Sequence, residues 1–127
     1  MTLKPAAENT GIVFVRTDLE ERPEIKAVPE NVSSTIRATT LSANGAEVFT
    51  VEHLMSALSM QAIDNIIIEM SSPEPPVADG SAKVFFDMIE KAGIVEQKAP
   101  RNIYTVDKIY PSNETVRSHR YPYIYNY

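Results

Sequence analysis

Residues 50–60, which read TVEHLMSALSM, decide the fold. Four apolar side chains recur in this stretch at the helical spacing i, i+3, i+4, i+7: Val51, Leu54, Met55 and Leu58. That period predicts an α-helix with one buried stripe. Thr50 has a side chain suited to accept a hydrogen bond from the first turn, so it is the predicted N-cap. We expect the helix to end at residues 60–63, before a turn at Asp64 and Asn65.

The chain downstream of this helix continues with a strand and a second helix. Residues 66–70, IIIEM, form a continuous apolar run, which is typical of a strand covered on both faces. Residues 79–81, Asp-Gly-Ser, are expected to open the second helix. Its apolar stripe comprises Phe85, Met88, Ile89 and Ala92. Gly93 follows at the place of a left-handed C-cap glycine.

The chain upstream of the first helix is rich in strand signals. Residues 11–17 and, more weakly, 24–28 have the composition of strands. Residues 35–41 and 47–50 flank Asn44-Gly45, a dipeptide that favours a hairpin turn because both residues tolerate positive φ. A last strand is expected at residues 103–109. The order predicts an α/β (α+β two-layer) fold, with a mixed β-sheet and two helices packed on one face.

Composition excludes several classes of protein. The chain has 127 residues, of which 43% are apolar and 23% charged, as in an ordinary soluble domain. Its net charge of −5, with scattered Lys and Arg, argues against nucleic acid as a partner. It contains no cysteine, so disulfides and thiolate metal sites are excluded. We expect no membrane span and no signal peptide, and therefore a cytoplasmic location.

The candidate chemistry lies at the start of the first helix, in Glu52 and His53. By spacing alone both have ordinary explanations. An acidic residue in the first turn is favoured by the helix macrodipole. A histidine off the apolar stripe is usually solvent-facing or locally hydrogen-bonded. His119, near the carboxyl end, has less claim to function. From the residues alone, the sequence indicates only an α/β domain.

Several stretches together resemble the zinc-dependent UDP-3-O-acyl-N-acetylglucosamine deacetylase family of lipid A biosynthesis. The resemblance extends from about Thr2 to Ile109 in the family's order and spacing. The stretches that carry it are residues 3–6, LKPA; 11–14, GIVF; 16–19, RTDL; 50–58, TVEHLMSAL; 64–65, DN; and 74–82, EPPVADGSA. Any one of them is a weak signal, whereas their combination is specific.

The resemblance implies both a fold and a mechanism. Members of the family have two similar domains, each a sheet carrying two helices, with the active site between them. The reaction hydrolyses the N-acetyl group of a UDP-linked acylated glucosamine. His53 matches the first Zn²⁺ ligand, and Glu52 matches the general base. No other cofactor-binding residue is implied. Such chemistry is physically coherent, because zinc lowers the pKa of bound water to about 7 and a carboxylate can then accept its proton.

The sequence departs from the family pattern at its later sites. The family's remaining zinc ligands lie in a His-Lys-x-x-Asp pattern, which is absent here, and His119 does not replace it. The opening hairpin segment of the family is absent as well. We therefore interpret residues 1–99 as the amino-terminal deacetylase domain, 100–110 as the start of the second domain and 111–127 as an atypical Tyr-rich tail. We expect the chain to be a truncated form that does not hold zinc tightly and is inactive alone.

Three function classes remain open at this stage. The first is the family enzyme, of which this chain is a fragment. The second is a non-catalytic interaction module, and the third is a non-functional remnant. Parts of the two helical stripes lack a covering layer if the family layout holds. We therefore expect a homodimer formed through the helix faces.

Overall fold

The structure is a computed structural model and describes residues 1–101 and 103. Within them the chain forms seven strands and two α-helices: β1 Thr2–Pro5, β2 Ile12–Arg16, β3 Glu24–Lys26, β4 Val32–Ser34, β5 Thr40–Ala43, β6 Ala46–Val48, α1 Glu52–Met60, β7 Ile66–Met70 and α2 Lys83–Ala92. A short 3₁₀ turn, Pro29–Asn31, precedes β4. No helix of this described part is long and apolar enough to cross a bilayer.

The strands form two sheets. The first has the order β1-β7-β2-β3, with β2 parallel to β7 and the other pairs antiparallel. The second is the antiparallel sheet β4-β5-β6. The predicted α+β architecture, with a mixed sheet and two helices, is therefore confirmed. The division into two sheets was not predicted, because it depends on pairings between strands distant in sequence.

The predicted hairpin is formed by β5 and β6. Ala43 pairs with Ala46, so Asn44 and Gly45 are the two turn residues, and their φ angles are 52° and 75°. Positive φ at both positions is what a two-residue turn with the twist of a hairpin requires. The strand before the turn begins at Thr40, later than the predicted 35–41, because residues 35–39 form a loop instead.

One hydrophobic core joins both sheets and both helices. The first sheet contributes Phe14, Ile25, Ile66, Ile68 and Met70, the hairpin Leu41, Ala46 and Val48, and the helical regions Val51, Leu54, Ala57, Leu58, Phe85 and Ile89. In β7 the side chains that alternate with the buried ones, Ile67 and Glu69, are only half-buried. The expectation that this strand is covered on both faces is thus wrong for its second face. Ion pairs of Glu69 with Lys4 and Arg22 occupy that face.

The predicted capping of α1 by Thr50 is wrong. Val51 occupies the N-cap position, and no side chain makes a capping hydrogen bond there. Thr50 instead has a φ of 53°, in the left-handed region. The residues on either side are fixed by tertiary contacts: the Phe49 N–H donates to the Pro73 carbonyl at 2.8 Å, and the Val51 side chain is buried. These contacts override the local capping preference of threonine.

Helix α2 begins two residues after the predicted opening. Asp79 Oδ1 accepts hydrogen bonds from the backbone N–H and the hydroxyl of Ser81, whose Oγ in turn accepts from the Lys83 N–H at 3.1 Å. Gly93 ends the helix with a φ of 84° and a ψ of 154°, so its φ is positive as predicted but its backbone is not the expected left-handed helical one. Of the predicted stripe, Met88 and Ala92 are exposed, and only Phe85 and Ile89 are buried.

Three predictions fall wholly or largely outside the described residues. Most of the predicted strand 103–109 lies there, although Ile103 itself is described and is exposed, outside any strand. The Tyr-rich segment 111–127 and His119 also lie outside the described part.

Candidate functional site

Glu52 and His53 are the first two residues of α1, directly after the short connection from β6. The Glu52 side chain is exposed and that of His53 is half-buried. The next helical residue, Leu54, is fully buried. The sequence therefore places two polar groups, an acid and an imidazole, at the solvent-facing start of a helix that is anchored in the core one residue later.

The carboxylate of Glu52 is held by a residue outside its own helix. Its Oε1 accepts a hydrogen bond from the backbone N–H of Thr39, in the loop before β5. Burial works to raise the pKa of Glu52, but hydrogen bonds from its own backbone N–H and from Thr39, together with nearby His53, outweigh it and lower the pKa. A lowered pKa keeps the group ionised at neutral pH. The sequence analysis did not predict Thr39, since no local pattern links it to the helix.

The turn that presents these groups is constrained from both sides. On one side the Phe49 N–H is bonded to Pro73, and on the other Val51 is buried and its carbonyl accepts the first helical bond, from the Met55 N–H at 2.9 Å. Thr50 lies between them with its positive φ. A β-branched residue in this conformation is strained, and such strain persists only where the surroundings determine the backbone. The backbone at the start of α1 is therefore held in one conformation by the contacts around it.

These groups do not make a complete metal site. Across residues 1–101 and 103, no three His, Asp or Glu side chains come together so as to hold a metal ion. A catalytic zinc needs three protein ligands and one open position. His53 is thus a single candidate ligand, and the described residues do not fit a zinc centre on their own.

A large cavity formed by the described residues lies elsewhere. It has a volume of about 1350 Å³ and lies between β1, the end of α2 and the segment 94–101. Neither Glu52 nor His53 lines it. Cavity size therefore does not indicate the chemistry in this domain, and the adjacency of reactive groups is the better guide.

In two of the stretches that carried the family resemblance, side chains make hydrogen bonds that stabilise the fold. The guanidinium of Arg16 binds both carboxylate oxygens of Asp18, at 2.8 and 2.7 Å, and donates to the Glu47 carbonyl at 2.7 Å. It therefore ties β2 of the first sheet to β6 of the second. Its hydrogen bond to Asp18 also lowers the pKa of that carboxyl, against the effect of burial. Asn65 Oδ1 accepts from the Gly11 N–H at 2.9 Å and fixes the start of β2.

An ionised carboxylate beside an imidazole, both on a fixed and solvent-facing turn, is a pairing suited to hydrolysis. The described part is thus an α+β domain that carries this pair at the start of α1. Comparison with known proteins specifies the family. Residues 1–123 match the family model LpxC, UDP-3-O-acyl N-acetylglycosamine deacetylase, and the chain belongs to this family.

Curated relatives support the same assignment. The chain is 54% identical to the UDP-3-O-acyl-N-acetylglucosamine deacetylase of Thermosynechococcus vestitus over 101 residues, which are 80% of this chain and 35% of the relative. It is 42% identical to that of Bdellovibrio bacteriovorus over 124 residues, 97% of this chain and 41% of the relative. A bifunctional LpxC/FabZ enzyme of Chlorobaculum tepidum is 45% identical, with 23% of its length covered. The chain thus spans between 23% and 41% of the length of these three relatives.

Proposed function

We propose that this chain supplies one part of the active site of a deacetylase that removes the N-acetyl group from UDP-3-O-acyl-N-acetylglucosamine in lipid A synthesis. The observation that carries the proposal is the adjacency of Glu52 and His53 on the fixed first turn of α1, in a chain that belongs to this deacetylase family. The proposal assigns the remaining groups of the site to protein outside the described residues.

In this proposal Glu52 is the general base. It takes a proton from the water that attacks the amide carbonyl, a role that requires an ionised and oriented carboxylate. The lowered pKa of Glu52 supports the first requirement, and the hydrogen bond from the Thr39 N–H supports the second. The same bond makes the carboxylate a weaker base, so we expect it to lengthen or break as the proton is transferred.

His53 is proposed as one zinc ligand. One imidazole is too few for a catalytic site, so no zinc-dependent step is assigned to this chain by itself. We accordingly propose that the described residues do not catalyse the reaction by themselves. The absence of cysteine agrees with a reducing compartment, and we propose a cytoplasmic location, which fractionation of the source cells would test.

A chimera tests the assignment of Glu52 and His53. Residues 1–101 would replace the matching segment of the Thermosynechococcus vestitus deacetylase, to which the chain is 54% identical. We expect the chimera to release acetate from the UDP-linked amide, and Glu52→Gln or His53→Ala to reduce the rate by about 100-fold or more. Ser56→Ala, at an exposed position on the same helix, is the matched control and should retain activity. Full activity of the Glu52→Gln chimera would refute the proposed base.

Zinc calorimetry on the chain alone tests the proposed incompleteness of the site. We expect no tight binding, and the same weak heats for wild type and His53→Ala. Tight binding that is lost in His53→Ala would show that the chain completes a metal site by itself, and would contradict this part of the proposal.

A second candidate function, self-association as an interaction module, is favoured by the exposed apolar surface of the helices. A groove of about 360 Å³ lies between α1 and α2 and is lined by Met60, Ala82, Lys83, Phe86 and Asp87. Among the apolar residues of this groove, Met60 is 67% exposed and Phe86 is half-buried. Apolar side chains clustered in this way often mark an interface. We propose that a second copy covers this groove and forms a homodimer.

Sedimentation at increasing concentration tests the homodimer. We expect a dimer for the wild type and a monomer for Met60→Lys, because a lysine in the groove must be desolvated in the interface. Val95→Lys is the matched control, since Val95 is 87% exposed but does not line this groove. A wild-type monomer at high concentration would refute the dimer, and a loss of association in Val95→Lys would place the interface elsewhere.

A further inference from the structure

The turn between β5 and β6 carries a feature that is independent of the proposed function. Its two residues, Asn44 and Gly45, are both exposed, and a Cβ added at Gly45 would meet no atom within 4 Å outside its two neighbouring residues. Asn44 is the one asparagine in the whole sequence that is followed by glycine. The turn therefore combines an exposed asparagine amide with a following residue that has no Cβ to hinder approach to its peptide nitrogen.

We propose that Asn44 is a site of spontaneous deamidation. The Gly45 backbone nitrogen, after losing its proton, attacks Cγ of Asn44, and the Cγ–Nδ2 bond breaks to release ammonia. The product is a five-membered succinimide. Water then opens the ring at either of its two carbonyl carbons, which yields aspartate or isoaspartate. The net change consumes one water and releases one ammonia, with no oxidation or reduction.

Glycine at position 45 makes this reaction sterically accessible. The attacking nitrogen must approach the side chain of the preceding residue, and a Cβ on the following residue hinders that approach. The other described asparagines, Asn9, Asn31 and Asn65, are followed by Thr, Val and Ile, each of which is β-branched. These residues are conformationally stiff next to the backbone, so the same ring closure is hindered at all three sites.

In the folded chain, a hydrogen bond of the Asn44 side chain restrains the reaction. Asn44 Nδ2 donates a hydrogen bond to the Glu24 carbonyl oxygen of β3 at 2.7 Å. The side chain must leave this partner before Cγ can reach the Gly45 nitrogen. We therefore expect deamidation in the native chain to follow transient opening of this bond, and to be faster in urea.

Deamidation removes a link between the two sheets. Either product carries a carboxylate, which has no proton to donate to the Glu24 carbonyl and repels it instead. Isoaspartate also adds a methylene to the backbone of a turn in which Ala43 pairs with Ala46 across two residues. The hydrogen bond from the Arg16 guanidinium to the Glu47 carbonyl would still join the hairpin to the first sheet. The altered hairpin leads directly into the helix that begins at Glu52.

Peptide mapping by mass spectrometry tests the site. The native chain would be aged at mildly alkaline pH, with isoaspartate distinguished by methyltransferase labelling. We expect loss of the Asn44 amide while Asn31 stays intact. Asn31 is a matched internal control, because its Nδ2 also donates to a backbone carbonyl, that of Lys26, at 2.8 Å. Deamidation of Asn31 first, or of Asn44 only in urea, would overturn the proposal.

Hydrogen exchange tests the structural consequence. We expect the β5 and β6 amides to exchange faster in Asn44→Asp than in wild type, while the amides of β7 are unchanged. Asn31→Asp serves as the control, since it adds the same charge outside the hairpin. Equal protection of the hairpin in wild type and Asn44→Asp would overturn the claim that deamidation loosens it.

Discussion

Helices α1 and α2 contribute to the same core, but they are enclosed to different degrees. In α1, Leu54, Ala57 and Leu58 are all fully buried. In α2, only Phe85 and Ile89 are buried, and Met88 between them along the chain is 48% exposed. The difference indicates a division of roles. The proposed chemistry lies at the start of α1, the more enclosed helix, whereas exposed apolar side chains lie at its end, at Met60, and on α2, at Met88.

The sharpest test of this difference removes a buried side chain from α1. Leu54→Ala leaves a cavity at a fully enclosed position, so we expect it to lower the free energy of unfolding by about 2–5 kcal/mol. Met88→Ala, the control on α2, should change it by no more than about 0.5 kcal/mol. Urea unfolding of both variants provides the measurement. Similar losses for the two would mean that Met88, which does not line the groove of the proposed dimer, is covered by protein in solution.

A smaller change asks how tightly α2 is packed. Ile89 is 6% exposed, and Ile89→Val removes one methylene from it. We expect a loss of about 0.5–1.5 kcal/mol in the free energy of unfolding, again from urea titration. A loss as large as that of Leu54→Ala would show that α2 is as tightly packed at Ile89 as α1 is at Leu54.

Relief of the backbone strain at Thr50, just before α1, should raise the stability of the fold instead of lowering it. Left-handed backbone costs a non-glycine residue about 1–2 kcal/mol, and glycine loses about 0.5–1 kcal/mol through its extra freedom in the unfolded chain. Thr50→Gly should therefore raise the thermal midpoint slightly, with a gain of about 0–1.5 kcal/mol in the free energy of unfolding. Thr40→Gly, within strand β5, should lower it. A marked loss in Thr50→Gly would show that the threonine side chain stabilises the turn.

The start of α2 should respond to acid. The pKa of Asp79 is lowered, chiefly by hydrogen bonds from the Ser81 hydroxyl and backbone. Because the folded pKa lies below the unfolded value of about 3.9, this stabilisation is present above that pH and is lost as the pH falls through the folded pKa. We expect the amide of Lys83 to lose exchange protection below about pH 4, and Asp79→Ala to remove this pH dependence. An unchanged profile in Asp79→Ala would assign the effect to another carboxylate.

Local pattern predicted the elements of the fold but not their assembly. The i, i+3, i+4, i+7 spacing located α1, and Asn44-Gly45 located the hairpin, because these signals act within a few residues. The separation into two sheets depends on long-range pairing, such as that of Phe14 with Ile68. Thr50 failed as a cap because Phe49 and Val51 are fixed by contacts with distant residues.

The candidate site was less accessible to sequence reasoning than the fold. Spacing alone gave Glu52 and His53 ordinary explanations, and only the resemblance to the deacetylase family singled them out. The structure shows them as the first two residues of α1, and their proposed roles remain predictions. Thr39 was missed because its hydrogen bond to Glu52 joins two residues 13 positions apart, through a loop of no regular structure.

The segment 97–101 is tied back to the first part of the chain. Gln97 Nε2 donates to the Ala6 carbonyl at 2.9 Å, and the N–H groups of Lys98 and Ala99 donate to Glu8. The first strand and the last described segment consequently meet at one corner of the domain. When the two ends of a folded unit lie close together, the unit can be inserted into a longer polypeptide, or duplicated within it, with its core packing unchanged.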